Sequence, residues 1–284
     1  MKIGCQMAFN DITSPDYIAQ AGRIVEERGF DSFWVPEHVL FFPEYASRYP
    51  YSDDGRLRGD PKSLLDPFSA LTFVAASTSK IRLGTGICLV PQRNPVYTAK
   101  QVADLDYLSG GRFEFGVGIG WLKEEFAALG VPWENRAGRT NECIEVMQTL
   151  WCDEISSHAG ERFNIEAAYQ NPKPVQKPHP PILFGGESDA ALQRVAATGQ
   201  GWYGFNLTPD LLEQRLVRLE ELLNQQGRKL ADVKVYVSPA PSAINADDIA
   251  AMEQLGAQQV IVGLFARDAE KLKQRADDAL RLVA

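Results

Sequence analysis

Histidine is scarce in this chain. There are three in 284 residues, His38, His158 and His179, and no spacing among them and the cysteines resembles a zinc site. The four cysteines, Cys5, Cys88, Cys143 and Cys152, form no CxxC pair, and a chain of this length does not depend on disulfide staples. They read as reduced and mostly buried thiols, and no metal site is expected. Positive charge is also short, since 29 Lys and Arg against 37 Asp and Glu leave a net charge of −8. Nucleic acid and anionic membrane surfaces both need a basic footprint, so neither is an expected partner. Long apolar runs are missing too. The opening MKIGCQMAFND enters strand-like alternation and is broken by polar residues before a signal-peptide core or a membrane span could form, which points to a cytoplasmic protein.

What is present is 45% hydrophobic and 23% charged residues, the balance of a compact globule rather than a disordered chain. Strand-like and helical periods alternate along it. Strands are expected over Lys2–Met7, Asp31–Val35, Ile81–Ile87, Arg112–Phe115, Ile182–Phe184, Trp202–Phe205, Val233–Val237 and Gln259–Val262. Helices are expected over Pro15–Arg28, Pro67–Thr78, Pro95–Leu108, Arg139–Trp151, Ser188–Thr198, Pro209–Gln226, Ala246–Leu255 and Asp268–Leu282. Eight successive βα units imply an α/β fold, a (β/α)8 TIM barrel in a single domain over residues 1–284. An open doubly wound sheet is the alternative, because periodicity alone does not show closure. Two loop insertions interrupt the rhythm, one after strand two at about 36–65 and one between strands four and five at about 154–180, the latter holding a hairpin at HAGERFNIE. Both suit lids or dimer contacts.

Three constellations fall at the carboxyl ends of strands, where barrel enzymes carry their chemistry. Glu37 and His38 follow strand two. Histidine exchanges protons near neutral pH, and an adjacent carboxylate can orient it or raise its pKa; the bland alternative is a surface-loop histidine. Gly185-Gly186-Glu187-Ser188 joins strand five to a helix, where backbone N–H groups, glycine and the Ser188 hydroxyl suit a phosphate, or simply form a tight turn and a helix cap. Gly84-Thr85-Gly86-Ile87 and Gly116-Val117-Gly118-Ile119-Gly120 put glycines at two more strand ends. The second touches GxGxxG only formally, since its third glycine comes a residue early and no helix opens there. Arg93, Arg136, Arg139 and Trp121 are candidates for the substrate mouth, although arginines beside helices are usually solvated or salt-bridged and Trp121 could simply pack. Phe41, Phe42, Tyr45, Tyr49 and Tyr51 in the first insertion suit an apolar or aromatic small organic substrate, or a dimer seam.

In order along the chain, PEHVLFFP, IRLGTG, RNP, LSGGRFEFGVGIGW, EEFAALGV, Arg136, Arg139 and ILFGG resemble the luciferase-like monooxygenase superfamily, and within it the coenzyme F-420-dependent oxidoreductases. The resemblance runs from Lys2 to about Phe205. It implies catalytic roles for His38 and Glu37 beside a reactive ring. It also implies a bulge at Gly86-Ile87, often with a non-prolyl cis peptide, supporting that ring from behind. Gly116, Val117 and Gly118 would border the ring, and Gly185, Gly186 and Ser188 would hold a phosphate. The cofactor would be F-420 (8-hydroxy-5-deazaflavin), giving hydride transfer to or from a small organic substrate. With FMN the implied activity is instead a monooxygenase using O2 and reduced flavin, with a flavin reductase as partner. A non-catalytic flavin-binding barrel is a third possibility. Family members commonly pair through the helices after strands two and three, so a homodimer is expected, with Ala70–Ala76 as the small apolar surface.

Overall fold

The computed structural model describes residues 1–57, 59 and 61–284. Its strands are β1 Lys2–Gln6, β2 Ser32–Val35, β3 Arg82–Thr85, the two-residue β4 Cys88–Leu89, β5 Phe113–Gly118, β6 Ser156–Ala159, β7 Asn164–Ala168, β8 Ile182–Gly185, β9 Gly201–Leu207, β10 Lys234–Pro239 and β11 Gln259–Gly263. Its α-helices are α1 Pro15–Glu27, α2 Pro67–Ser77, α3 Pro95–Ser109, α4 Lys123–Ala128, α5 Arg136–Cys152, α6 Asp189–Thr198, α7 Pro209–Gln225, α8 Ala246–Gln254 and α9 Ala269–Leu280. Pairing runs β1-β2-β3-β5-β8-β9-β10-β11, and β11 returns to β1 with Ile3 opposite Val260. All eight pairings are parallel, so the sheet closes as a (β/α)8 barrel and the open-sheet alternative falls away. Within the second insertion β6 and β7 form the expected antiparallel hairpin.

Local chemistry explains why the helices start where they do. The Ser14, Asp66, Asn94 and Thr208 side chains accept N–H groups of the first turns of α1, α2, α3 and α7, and each of those helices opens on proline. Several elements differ from expectation: β3 ends at Thr85 rather than Ile87, the two-residue β4 was not foreseen, and α5 begins at Arg136 rather than Arg139. Helix α4 was hidden because it spans only six residues and its N-cap, Leu122, makes no side-chain cap bond. Strand β5 runs three residues past Phe115, so Gly116, Val117 and Gly118 belong to the barrel wall rather than to the loop after it.

The large core lies between the strands and the surrounding helices. A second, smaller cluster of Trp34, Leu183, Tyr203, Tyr236 and Ile261 fills the barrel interior, with Ile87 and Phe205 packed on it. At the amino end of the strands the buried Glu114 carboxylate accepts Lys234 Nζ at 2.6 Å and the Tyr236 hydroxyl at 3.1 Å, and pairs with Arg82 Nε at 3.1 Å. That knot and the aromatic layer fill the lower barrel, leaving the carboxyl ends of the strands as the open end. Among the described residues no helix is long and apolar enough to cross a membrane.

Candidate active site

A cleft of about 920 Å³ opens at the carboxyl ends of the strands, at the upper end of the range for small-molecule sites. Glu37, His38, Gly86, Ile87, Gly118, Gly185, Gly186 and Ser188 all line it, together with Trp121 and Arg136. A second hollow of about 440 Å³, at the opposite end beside Lys177, His179 and Lys234, contains none of the anticipated site residues.

The floor of the cleft is made largely of backbone. Ile87 follows β3 through a cis Gly86–Ile87 peptide, and the Gln6 amide donates to Gly86 O at 2.7 Å. A Cβ on Gly118 would sit 2.2 Å from Ile87 Cδ1, and one on Gly185 would sit 2.6 Å from the same atom. Glycine at both places therefore lets Ile87 lie flat across two strand ends. Gly116 and Val117 do not reach the cleft. Both are buried in the wall, where Thr85 Oγ1 donates to Gly116 O at 2.6 Å and a Cβ on Gly116 would stand 2.0 Å from Thr85 O. Their part is the close approach of β3 to β5.

Glu37 and His38 are brought to one place but do not act as a pair. Consecutive residues of extended backbone project to opposite sides. Glu37 turns inward, where one carboxylate oxygen accepts Leu89 N at 2.6 Å and the other accepts Arg93 Nε at 2.6 Å. Arg93 also reaches Asp66 at 2.6 Å and Gln101 at 2.9 Å, so this candidate for the substrate mouth is instead a half-buried tie among Glu37, the cap of α2 and α3. Arg139 likewise is held away, donating to Pro91 O at 2.8 Å over the Phe163 ring.

The carboxylate partner of His38 is Glu125, from the first turn of α4. His38 Nδ1 lies 3.0 Å from Glu125 Oε2, and the Trp121 indole N–H donates to His38 Nε2 at 3.2 Å. Glu125 is fully buried and also accepts Val39 N at 2.6 Å, Leu40 N at 3.1 Å and Gln92 Nε2 at 2.9 Å. Burial works to raise its pKa, but the bonds from His38, Gln92 and Leu40 outweigh burial and hold the carboxyl below the usual range. Residue type gave no hint of this partner, although Glu125 falls inside the EEFAALGV motif.

The first insertion roofs the cleft. Trp121 packs edge-on against Tyr45 at 5.6 Å and Tyr49 at 5.2 Å, Tyr49 against Tyr51 at 5.5 Å, and Tyr51 against Phe205 at 4.8 Å. Of the five aromatics singled out in this segment, Phe41, Tyr49 and Tyr51 line the cleft. Glu124 pins one side of the roof by accepting Ala46 N at 2.6 Å and Ser47 Oγ at 2.7 Å. Across the cleft the Tyr51 hydroxyl donates to Glu187 at 2.8 Å, and Glu187 also accepts Phe205 N at 2.7 Å. Burial pushes the Glu187 carboxyl above the usual range despite those two bonds.

Beside Glu187 the chain turns through Gly186, at φ 101°, a left-handed conformation that favours glycine, into the amino terminus of α6. Ser188 caps that helix by accepting Ala191 N at 3.2 Å. The turn carries no cation of its own; Arg136, elsewhere on the cleft lining, lies over the Trp133 ring at 3.7 Å. Burial lowers the pKa of the Arg136 and Arg194 guanidinium groups, and for Arg194 the charge of Arg136 adds to it. Neither pairs with a carboxylate among the described residues. Arg194 was not foreseen, since nothing in a solvent-spaced helical position marks it out. Among the described residues no cluster of His, Cys, Asp and Glu could hold a metal ion.

A sequence profile of the luciferase-like monooxygenase family matches residues 4–282. An uncharacterized protein of Mycobacterium tuberculosis is 33% identical over 256 residues, covering 89% of this chain and 88% of its own. An FMNH(2)-dependent dimethylsulfone monooxygenase of Pseudomonas putida is 36% identical over 134 residues, 46% of this chain and 36% of that one. In three dimensions, an F-420-dependent secondary alcohol dehydrogenase in complex with an F-420–acetone adduct superposes with a TM-score of 0.78 at 18% identity, covering 100% of this chain and 99% of the other, a likeness of fold.

Proposed function

The chain belongs to the luciferase-like monooxygenase family, and from that premise we propose that its cleft holds a phosphorylated flavin-type ring and that the protein is an oxidoreductase exchanging hydride with a small organic substrate, with F-420 as the carrier. The observation that carries the reading is the floor, where the absence of a Cβ at Gly118 and Gly185 lets the Ile87 side chain lie low against both strand ends and leaves room above it for a flat ligand. A planar ring fits such a surface, and the phosphate it would bear fits the start of α6, where Gly186 and Ser188 line the cleft and the helix dipole favours an anion, with Arg136 also on the cleft lining. When bound, the deazaflavin supplies or accepts the hydride, chemistry that no side chain here performs.

The residues of the chain do the rest. His38 moves the accompanying proton at Nε2, the ring nitrogen left without a carboxylate. Gln6 fixes the Gly86 carbonyl and so the level of the floor. The aromatic roof, pinned by Glu124 and latched by Tyr51 on Glu187, keeps water from the reacting atoms and gives an apolar surface for the substrate. Glu37 has no part in proton transfer; it holds the loop after β2 to Leu89 and Arg93.

A second reading, FMN-dependent monooxygenation with a flavin reductase as partner, is favoured by the partial identity to the dimethylsulfone monooxygenase. Oxygen separates the two. Anaerobic incubation of the protein with oxidised or reduced F-420 and a panel of alcohols and carbonyls, followed by absorbance, is expected to show turnover without O2. Turnover that needs FMN, a reductase and O2 together would transfer the assignment to the second reading. We propose further that the protein is a cytoplasmic homodimer, paired through α2 and α3. Phe73 on α2 and Tyr107 and Leu108 on α3 are large apolar side chains left 46, 58 and 64% exposed, respectively.

A further inference from the structure

The hydrogen bonds around His38 fix where its proton resides. Three states are open to the ring: an imidazolium, a neutral ring with hydrogen on Nε2, and a neutral ring with hydrogen on Nδ1. Trp121 Nε1 is a donor only and points at Nε2 at 3.2 Å, so Nε2 has to accept. A hydrogen on Nε2 would set two N–H groups against each other, which, for the neutral ring, disfavours the Nε2–H tautomer. On the other side Glu125 Oε2, 3.0 Å from Nδ1, is an acceptor with nothing to give, because its carboxylate already receives Val39 N, Leu40 N and Gln92 Nε2. Only the Nδ1–H ring satisfies both neighbours.

We propose that Glu125 is a positioning residue that holds His38 as the neutral Nδ1–H tautomer, so that Nε2 faces the cleft as a base whose resident partner is the Trp121 indole. A substrate hydroxyl entering the site takes the place of the indole N–H and donates to Nε2. The site is therefore built to receive a proton from a hydroxyl-bearing substrate, rather than to give one, in its resting state. The inference rests on the reading of His38 as the proton carrier only for this last consequence; the tautomer itself follows from the hydrogen bonds. Glu125 touches no ligand in this scheme. It acts through the imidazole, and the four-residue reach of its bonds also anchors the loop after β2, which is why activity loss alone would not distinguish the two roles.

Nitrogen NMR does. Long-range 1H–15N correlation on uniformly labelled protein, at a pH where the imidazole is neutral, reports which ring nitrogen carries hydrogen; with three histidines in the chain, comparison with His38→Gln identifies the signals. The expected result is Nδ1–H favoured over Nε2–H by about tenfold or more, given the strength of a hydrogen bond to a carboxylate. Trp121→Phe should keep that tautomer. In Glu125→Gln the amide oxygen stays with Val39 and Leu40 and the NH2 group turns to Nδ1, so that both ring nitrogens face donors and the preference for Nδ1–H falls toward parity. Wild-type protein with its hydrogen on Nε2 overturns the inference, and so does a change of tautomer in Trp121→Phe, which needs no substitution at Glu125. An unchanged His38 pattern in folded Glu125→Gln overturns the role of Glu125. Failure of F-420 and FMN to bind would instead defeat the functional reading, and the spectra are recorded without either.

Discussion

His38 is the residue on which turnover is expected to depend. Replacing it with alanine should leave cofactor affinity nearly unchanged, because the floor at Ile87 and the start of α6 do not involve it, while kcat falls by ~10²-fold or more, the usual worth of a positioned acid or base. Wild-type turnover in His38→Ala would return it to an ordinary loop histidine. Glu37→Ala should behave differently. It strips a buried carboxylate from Arg93 and Leu89 N, so the loss is chiefly of stability, about 3 kcal/mol by urea unfolding, with any loss of kcat following from the displaced loop. A stability unchanged by that substitution would mean the tie is dispensable. His38 was legible because it directly follows a strand. Its carboxylate partner was not, since Glu125 lies 87 residues on, and only the closed barrel brings the loops after β2 and β5 together. The neighbour in sequence, Glu37, is instead held by Leu89 N and Arg93.

At the scale of elements, β5 contains two glycines with separate tasks. A methyl group at Gly116 meets the backbone oxygen of Thr85, which cannot rotate aside, so Gly116→Ala should cost roughly 3 kcal/mol or prevent folding. At Gly118 the obstacle is the end of the Ile87 side chain, which can swing into the cleft, so Gly118→Ala should cost less in unfolding free energy and more in cofactor affinity. Equal effects of the two on unfolding and binding would contradict this division. Helix α4 gives a pH signature. The folded pKa values of Glu124 and Glu125 are held below their unfolded ones despite burial, so their contribution to stability is complete above the ordinary carboxylate pKa, about 4.3, and is lost as pH falls through the depressed values. Urea midpoints followed down this acid range should fall less steeply in Glu124→Gln than in wild type; parallel curves would show that the pinning of the roof contributes nothing. Four helix starts could be read directly, because Ser, Thr, Asp or Asn followed by proline marks a cap chemically. The six residues of α4 carry no such mark.

For the molecule as a whole, the alternation of strand and helix was sufficient to indicate the barrel, while closure needed the pairing of β3 with β5 and β11 with β1, which no local pattern encodes. The influence of Arg136 on Arg194 was equally hidden, because the two stand on different helices, α5 and α6. Ala70, Leu71, Val74 and Ala75 turn into the core, so the expectation of a dimer rests on Phe73 of α2 and Tyr107 and Leu108 of α3: light scattering at tens of micromolar should give twice the 31.5 kDa chain mass, and a monomer mass there would refute pairing through those helices. The central claim is that the cleft over Ile87 is a flavin-type cofactor site, and equilibrium dialysis of the purified protein against F-420 and FMN separately tests it most directly. The account predicts micromolar or tighter binding of at least one of them, stoichiometric with the chain and weakened by Gly118→Ala. No binding of either, or binding that Gly118→Ala leaves untouched, would contradict it.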